Sequence, residues 1–345
     1  MGKRSPSLDA DGVDPIETSP TRRTRSRCGT YTHASDDGDD DEEQTSSSSS
    51  TSSVTGRSSR RRRMRAMRVE GHDGRPNQLL VSMAPNATSN VVYFPGDVQD
   101  FEHRLRKSRF KAWTAYSYEA TALSLAAKFP DATIWIVQPA TILPSGVSCY
   151  EHFLLPEDHA DPIAYVPHGH AMRHLQRLMQ NASECIDNAA YLRPDLPLHL
   201  VGFSRGVVVL NQMITELAAM PPVTQGAYDA PAVRHWFQQV VSIHWVDGGN
   251  GSSAGALPSH SLALSVLSDF PTLGLHVHWT PYQLASRQRP WIAHENVAFC
   301  KTMEGLGCPP RVLEYFSHKP GSLEDHFGVL DALQIQSTVA DDDVP

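Results

Sequence analysis

Cysteine is scarce and unpatterned in this chain of 345 residues: Cys28, Cys149, Cys185, Cys300 and Cys308 form no C-x-x-C pair. An odd, scattered set of five argues against a disulfide framework or a cysteine zinc site, and for a reducing compartment. Long apolar runs are missing too. No stretch approaches the roughly 18 residues that a membrane-crossing helix needs, so a soluble or peripheral protein is expected. No apolar h-region follows Met1, so no secretory signal is read. Excess positive charge is absent: the formal net charge is -8, with 14 Lys+Arg and 13 Asp+Glu in residues 1–75 and 16 against 25 in the remainder. A mildly acidic body carries no electrostatic footprint for nucleic acid. Neither a G-x-G-x-x-G nor a Walker loop occurs, so no cofactor is expected.

What is present divides the chain in three. Residues 1–75 hold "DDGDDDEE" at 36–43, "SSSSS" at 46–50 and "RRRRMRAMR" at 60–68. They offer few large apolar side chains, so little offsets the entropy of ordering, and a disordered low-complexity tail is expected. The arginine run reads as a solvated stretch, or as a nuclear-localisation or anionic-surface patch. The acidic block argues against a mitochondrial transit peptide starting at Met1. A folded domain is expected over 76–335 and an acidic tail over 336–345.

Within the domain, short apolar runs alternate with helical patterns. Strands are expected at "NVVYFPG" (90–96), "ATIWIVQP" (132–139), "LHLVGF" (198–203), "QVVSIHWVDGG" (239–249), "GLHVHWTPY" (274–282) and "RVLEYFS" (311–317). Helices are expected at 113–129, 169–192, 205–220, 261–270 and 291–304, with an irregular lid over 139–168. Strands apolar on both faces, alternating with helices, indicate an α/β fold: a mostly parallel sheet covered on both sides.

The chemistry concentrates at Gly202-Phe203-Ser204-Arg205-Gly206, a G-x-S-x-G run. The pentapeptide alone is weak. Between a strand and a helix it becomes a nucleophile elbow, with Ser204 on a strained turn and glycines permitting close approach. The helix start then offers the Arg205 N–H as an oxyanion donor. The bland alternative is a structural serine at a strand-to-helix turn.

A serine hydroxyl needs a base. In the order Ser, acid, His, the acid is expected at Asp247, directly after "VVSIHWV", and the base at His326, in the loop after the last strand. Asp325 is the weaker candidate for the acid, because adjacent residues usually point apart. Glu295 is a fallback that suits a helix face better. The second oxyanion donor is expected from the N–H of Asp97 or Val98 in "YFPGDVQDF". The Asp97 carboxylate itself, which would repel an oxyanion, is read as a helix N-cap.

Other candidates rank lower. His159, His168, His170 and His174 with Asp158 and Asp161 form a conceivable metal cluster, but no H-E-x-x-H accompanies them; a polar lid is the preferred account and no metal site is expected. His276 and His278 share a strand face and read as satisfied core histidines. Trp279 and Trp291 read as core or pocket wall.

The runs "VVYFPGDVQDF", "IWIVQP", "SCY", "LVGFSRGVVVLNQM", "WVDGGNG", "HVHWTPYQ", "RPWIAHE" and the late "HF" resemble, in order from about residue 90 to 327, the chromosome-2 open-reading-frame-69 family. The resemblance implies an α/β-hydrolase-like fold, an esterase-like serine site with Ser204, Asp247 and His326 at the matching positions, and, for animal members, mitochondria. It brings no substrate. Only a short "RPDLP" joins the helix near 190 to the nucleophile strand, where the family carries a long insertion. The expected activity is hydrolysis of an ester, thioester or amide of a small or lipid-like acyl substrate. The alternative is a non-catalytic binding or regulatory protein on a hydrolase scaffold, in mitochondria, cytoplasm or nucleus.

Overall fold

The computed structural model describes residues 62–154, 165–167, 169–186, 192–220, 230–249, 254–258 and 261–335, with the backbone alone at 29–31, 230, 231 and 261. The remainder of the expected tails and part of the expected lid lie outside the described residues. The strands are β1 (Gly29–Tyr31), β2 (Arg63–Glu70), β3 (Pro76–Met83), β4 (Ser89–Phe94), β5 (Ala132–Val137), β6 (Thr141–Ile142), β7 (Ser148–Cys149), β8 (Leu198–Phe203), β9 (Val240–Val246), β10 (Gly274–Trp279) and β11 (Arg311–Glu314). The helices are α1 (Glu102–Leu105), α2 (Tyr118–Lys128), α3 (Ala171–Glu184), α4 (Val207–Ala219), α5 (Ala230–Phe237), α6 (Ser261–Leu264), α7 (Pro281–Leu284), α8 (Pro290–Gly305) and α9 (Leu323–Ala332).

Nine strands form one sheet in the order β1-β2-β3-β5-β4-β8-β9-β10-β11, and β6 pairs with β7 as a small hairpin. From β5 to β11 all neighbours are parallel, whereas β1, β2 and β3 add an antiparallel flank. The sequence explains the difference. All six residues of β5 are buried, as are five of six in β4, because both faces carry helices. One face packs under α3, α4, α5, α6 and α8, the other under α2 and α9. On α4 the side chains of Leu210, Met213, Ile214 and Leu217 are fully buried, each contributing about 1.5–3 kcal/mol relative to exposure. The large indoles inside keep their N–H bonded: Trp135 to Asn90 Oδ1 at 2.9 Å and Trp245 to Asn211 Oδ1 at 2.9 Å. A parallel core that alternates with helices on both faces, with the G-x-S-x-G run on the central β8-to-α4 turn, is an α/β-hydrolase fold.

Three expectations need correction. The sheet already includes Gly29–Tyr31 and Arg63–Glu70, ahead of the expected start of the domain at 76. The arginine-rich run enters the sheet as β2, paired with all eight residues of β3. Met67 and Val69 point into the core while Arg68 and Glu70 stay exposed, so a strand forms on alternation despite its charge. Arg62 donates to the carbonyls of Ala132 (2.8 Å), Phe129 (3.2 Å) and Pro130, closing the α2–β5 turn. Second, the helix expected over 113–129 is broken at Ser117. A 3-10 segment spans Lys111–Tyr116, and Ser117 caps α2 by accepting from Ala120 N at 3.2 Å. Third, His326 sits on a helix, α9, capped by Ser322, and not in a loop.

Candidate functional site

Ser204 follows β8 directly and opens a 3-10 turn, Ser204–Gly206, that runs into α4. Its φ is +52°. For a residue with a Cβ that left-handed conformation costs on the order of 1–3 kcal/mol, and it persists only where the surroundings enforce it. The enforcement is steric. A Cβ on Gly206 would stand 2.0 Å from the Phe94 carbonyl oxygen, and one on Gly202 would stand 2.9 Å from the Gly206 oxygen. Strand, turn and helix can be this close only because both positions lack side chains.

Asp247 follows β9, the strand beside β8, and it too is left-handed, with φ +46°. Its backbone is held at both ends: Asp247 N donates to His278 O at 2.8 Å, and Gln283 Nε2 donates to Asp247 O at 3.2 Å. The carboxylate has no solvent exposure and accepts three hydrogen bonds. Thr280 N reaches Oδ1 at 2.7 Å, Thr280 Oγ1 reaches Oδ2 at 2.6 Å and His326 Nδ1 reaches Oδ2 at 2.7 Å. Burial of an ionised group is tolerable only when it is satisfied in this manner.

His326 presents Nδ1 to an acceptor-only carboxylate, so Nδ1 is the donor in this bond; in the neutral ring that tautomer leaves the lone pair on Nε2. Its ring lies between Phe203 (centroids 4.7 Å apart, planes at 30°) and Tyr282 (4.7 Å, 32°), which fix its plane. Phe203 immediately precedes Ser204. The acid and the imidazole are therefore joined, and the stacking brings the ring to the same rim as the serine. Ser204 Oγ makes no hydrogen bond to His326 or to any other described residue.

The oxyanion candidates separate. Arg205 N lies in the first turn of the helical segment, where N–H groups lack intrahelical acceptors. Asp97 N donates to no backbone carbonyl among the described residues. Val98 N donates to Gly146 O at 2.7 Å, so its assignment as an oxyanion donor is corrected: the group is already engaged. The N-cap reading of the Asp97 side chain is corrected as well. Its Oδ1 accepts from Ser148 N at 2.9 Å and from Arg205 Nε at 2.8 Å, clamping the loop after β4 onto β7 and the serine turn. That ion pair neutralises a carboxylate beside the site, with Arg205 3% exposed. The loop is tied further by Ser148 Oγ to Gly96 O at 2.9 Å and Tyr150 OH to Pro95 O at 2.5 Å.

The other acids are engaged elsewhere. Glu295, on α8, accepts from Gly255 N and from Leu257 N (3.4 Å), and burial raises its pKa. Asp325 pairs with Lys319 Nζ at 2.6 Å and accepts from its own cap Ser322 at 3.0 Å; the Lys319 hydrogen bond holds its carboxyl below the usual range. Of the proposed metal group, His159, His168, Asp158 and Asp161 lie outside the described residues. His174 is buried with both nitrogens engaged, Nδ1 by His72 N at 3.0 Å and Nε2 with Asn77 Oδ1 at 2.7 Å. His170 lies against His72, with ring centroids 4.7 Å apart and planes tilted at 53°. Trp279 Nε1 donates to Asn296 Oδ1 at 3.0 Å.

Two features were missed by the sequence reading. Thr280 completes the Asp247 cradle; the signal was Thr before Pro281, an N-cap that also accepts from Tyr282 N at 3.2 Å. The second is a row of hydrogen-bonded side chains crossing the sheet. It runs His199 Nδ1–Ser242 Oγ (2.7 Å), Ser242 Oγ–His244 Nε2 (2.9 Å), His244 Nδ1–His278 Nε2 (3.1 Å) and His278 Nδ1–Tyr315 OH (3.0 Å). Gln334 N closes it by donating to Tyr315 OH at 3.1 Å. His276 stacks flat on His244, centroids 4.4 Å apart. The spacing His199, Ser242/His244, His276/His278 on one strand face was the available signal, but only strand pairing reveals that they align.

Comparison with known proteins bears on this geometry. The profile described as C2orf69 matches residues 65–197 and 188–309. The chain belongs to the C2orf69 family. The "Mitochondrial protein C2orf69 homolog" of Danio rerio is 31% identical over 258 residues, covering 71% of this chain and 73% of that protein. "Mitochondrial protein C2orf69" of Homo sapiens is 26% identical over 296 residues, covering 71% and 74%. Among solved structures, esterase Est22 aligns at TM-score 0.42 with 10% identity, covering 79% of this chain and 77% of that one. A dienelactone hydrolase from Anabaena variabilis aligns at 0.41 with 14% identity, covering 79% and 95%. The C2orf69 match ends at residue 309, so it includes Ser204 and Asp247 and stops short of His326.

Proposed function

We propose that this C2orf69-family protein is a serine hydrolase of ester, thioester or amide bonds, acting on a small or lipid-like acyl substrate. The observation that carries the reading is the Asp247–His326 hydrogen bond of 2.7 Å, set beside a serine in the left-handed conformation at the end of the adjacent strand. In this reading Ser204 Oγ bonds to the carbonyl carbon while its proton passes to His326 Nε2. The same proton then goes to the leaving group as its bond to carbon breaks. Water repeats the sequence on the acyl-serine and regenerates the hydroxyl. Asp247 keeps Nδ1 protonated and stabilises the imidazolium. The N–H groups of Arg205 and Asp97 face the developing oxyanion, each worth about 3 kcal/mol of barrier. The reading requires Ser204 Oγ to come within hydrogen-bond reach of Nε2 when substrate is bound, since unliganded sites are commonly looser.

The test is active-site labelling with a fluorophosphonate. Wild type should be labelled and Ser204→Ala should not; an unlabelled wild type, or equal labelling of both, would refute the assignment. One observation favours a second reading, a non-catalytic protein on a hydrolase scaffold: Ser204 and His326 are not hydrogen-bonded. Under that reading Ser204→Ala would restore function in cells lacking the protein as well as wild type does. Residence in mitochondria, proposed from the names of the relatives, is checked by fractionating cells that express the untagged chain.

A further inference from the structure

A cavity of about 330 Å³ opens at the outer part of the sheet, lined among others by Arg68, Asn77, Gln78, Asp100, Arg104 and Gln138. None of these residues belongs to the site described above. Its place follows from the strand order. Gln138 comes directly after β5, Gln78 lies at the start of antiparallel β3, and Arg68 on β2 is paired with Gln78. Gln138 N donates to Gln78 O at 3.0 Å. The cavity thus sits at the carboxyl edge of the parallel strands, the edge where open α/β sheets take ligands. Strands β5 and β4 separate it from β8 and Ser204.

The lining is polar and unequal in charge: two guanidinium groups face one carboxylate. Arg104 is held in place, Nη2 donating to Gln78 Oε1 at 3.0 Å, with its guanidinium 5.3 Å from the Phe101 ring centroid. Arg68 is exposed, and its side chain makes no ion pair or hydrogen bond to any described residue. Asp100 faces inward, where its Oδ1 accepts from Phe101 N (2.8 Å), Gln138 Nε2 (3.0 Å) and Arg104 Nη1 (3.4 Å). Burial raises its pKa, while the Phe101 N–H and the Arg104 guanidinium favour its charged form. An unpaired arginine beside an oriented one matches the fork geometry with which guanidinium groups take carboxylate or phosphate. The volume suits a small molecule.

We propose that this cavity binds a small molecule through an oxyanion, carboxylate or phosphate, gripped by Arg68 and Arg104. The site is independent of whether Ser204 is a nucleophile. The experiment is calorimetric titration of the full chain with sodium acetate, L-lactate and inorganic phosphate in turn, ionic strength being held constant with chloride. Saturable binding of at least one is expected, and the tighter arm identifies carboxylate or phosphate. Arg68→Gln should weaken it on the order of ten-fold or more. Arg75→Gln, which alters a neighbouring arginine paired with Asp73 outside the cavity, should leave it unchanged. Arg68 is exposed, so its replacement leaves the core intact. Absence of saturation in all three titrations, or equal binding by Arg68→Gln, overturns the proposal.

Discussion

Lowering the pH from 7 to 5 should weaken the fold through its buried histidines, and replacing His278 should remove a defined share of that loss. His278 has no solvent exposure, and burial, reinforced by the charges of His276 and Arg311, lowers its pKa from 6.5 to about 3. The sign follows from where protons bind. Below pH 6.5 the unfolded chain takes up a proton that the folded chain refuses, so stability is fully present above 6.5 and is lost as pH falls toward 3. At pH 5 the unfolded imidazole is favoured by about 2 kcal/mol for His278, and by about as much for buried His174, also lowered to about 3. The hydrogen-bonded row explains the refusal. If Gln334 N donates to Tyr315 and every group is satisfied, Tyr315 donates to His278 Nδ1, His278 Nε2 to His244 Nδ1, His244 Nε2 to Ser242, and Ser242 to His199. A further proton on His278 would set two donors against each other. Glu216, Asp100 and Glu295, whose pKa values burial raises, work in the opposite direction. They act equally in wild type and in His278→Asn, so comparing the two cancels them. Urea unfolding at pH 7 and pH 5 is the assay. The wild type should lose about 2 kcal/mol more than His278→Asn across that interval. Equal losses would show that the row accepts a proton in the folded state and that the reasoning is wrong.

Three further outcomes follow from the site. His326→Ala should lower turnover nearly as far as removing Ser204, Asp247 and His326 together, because groups acting as a unit are not additive; kcat measured on an activated ester decides it, and a mild loss places the base elsewhere. Gly206→Ala should destabilise by about 3 kcal/mol or more, since its methyl would meet the Phe94 carbonyl at 2.0 Å; thermal unfolding reads this. Thr280→Val removes one donor to Asp247 Oδ2 and should lower kcat on the order of ten-fold with little change in KM; an unchanged kcat means that the carboxylate's orientation does not depend on that hydroxyl.

The parts of this molecule that were legible in its sequence are those fixed by local patterns. Strands β4, β5, β8 and β9 are buried almost throughout, and a strand buried on both sides has few alternatives. The serine turn was legible because a G-x-S-x-G run between a strand and a helix is a five-residue pattern, although the Phe94 carbonyl that Gly206 must approach lies on β4 and no local pattern names it. Arg63–Glu70 was misread because its composition is that of a solvated tail, whereas its pattern, Met67 and Val69 alternating with Arg68 and Glu70, is that of a strand. Alternation carries the information, and charge on the exposed face does not contradict it. Val98 failed as an oxyanion candidate for a different reason. Its N–H is engaged by Gly146, 48 positions away, and no local pattern encodes that partner. The alignment of His199, Ser242, His244 and His278 is likewise set by strand register, a tertiary property.

The division of labour at the rim bears on how the site can work. Ser204 and Asp247 are both left-handed at the ends of adjacent strands, so the backbone stores strain at the two positions where the proposed chemistry occurs. The strain is balanced differently at each. Asp247 is locked by bonds from Thr280, Gln283 and His326 and to His278, which leaves the acid–imidazole couple no freedom to reorganise. The Ser204 main chain is equally confined by the close approach of Gly206 to Phe94, yet its hydroxyl makes no hydrogen bond to any described residue. A rigid base beside a rotatable hydroxyl places the whole adjustment in one torsion, that of the serine side chain. Substrate binding then has a single degree of freedom to select. On this argument a covalent phosphonate at Ser204 should order that side chain against Nε2 while leaving the Asp247–His326 distance unchanged, and a structure of the adduct in which the imidazole has moved away from Asp247 would contradict it.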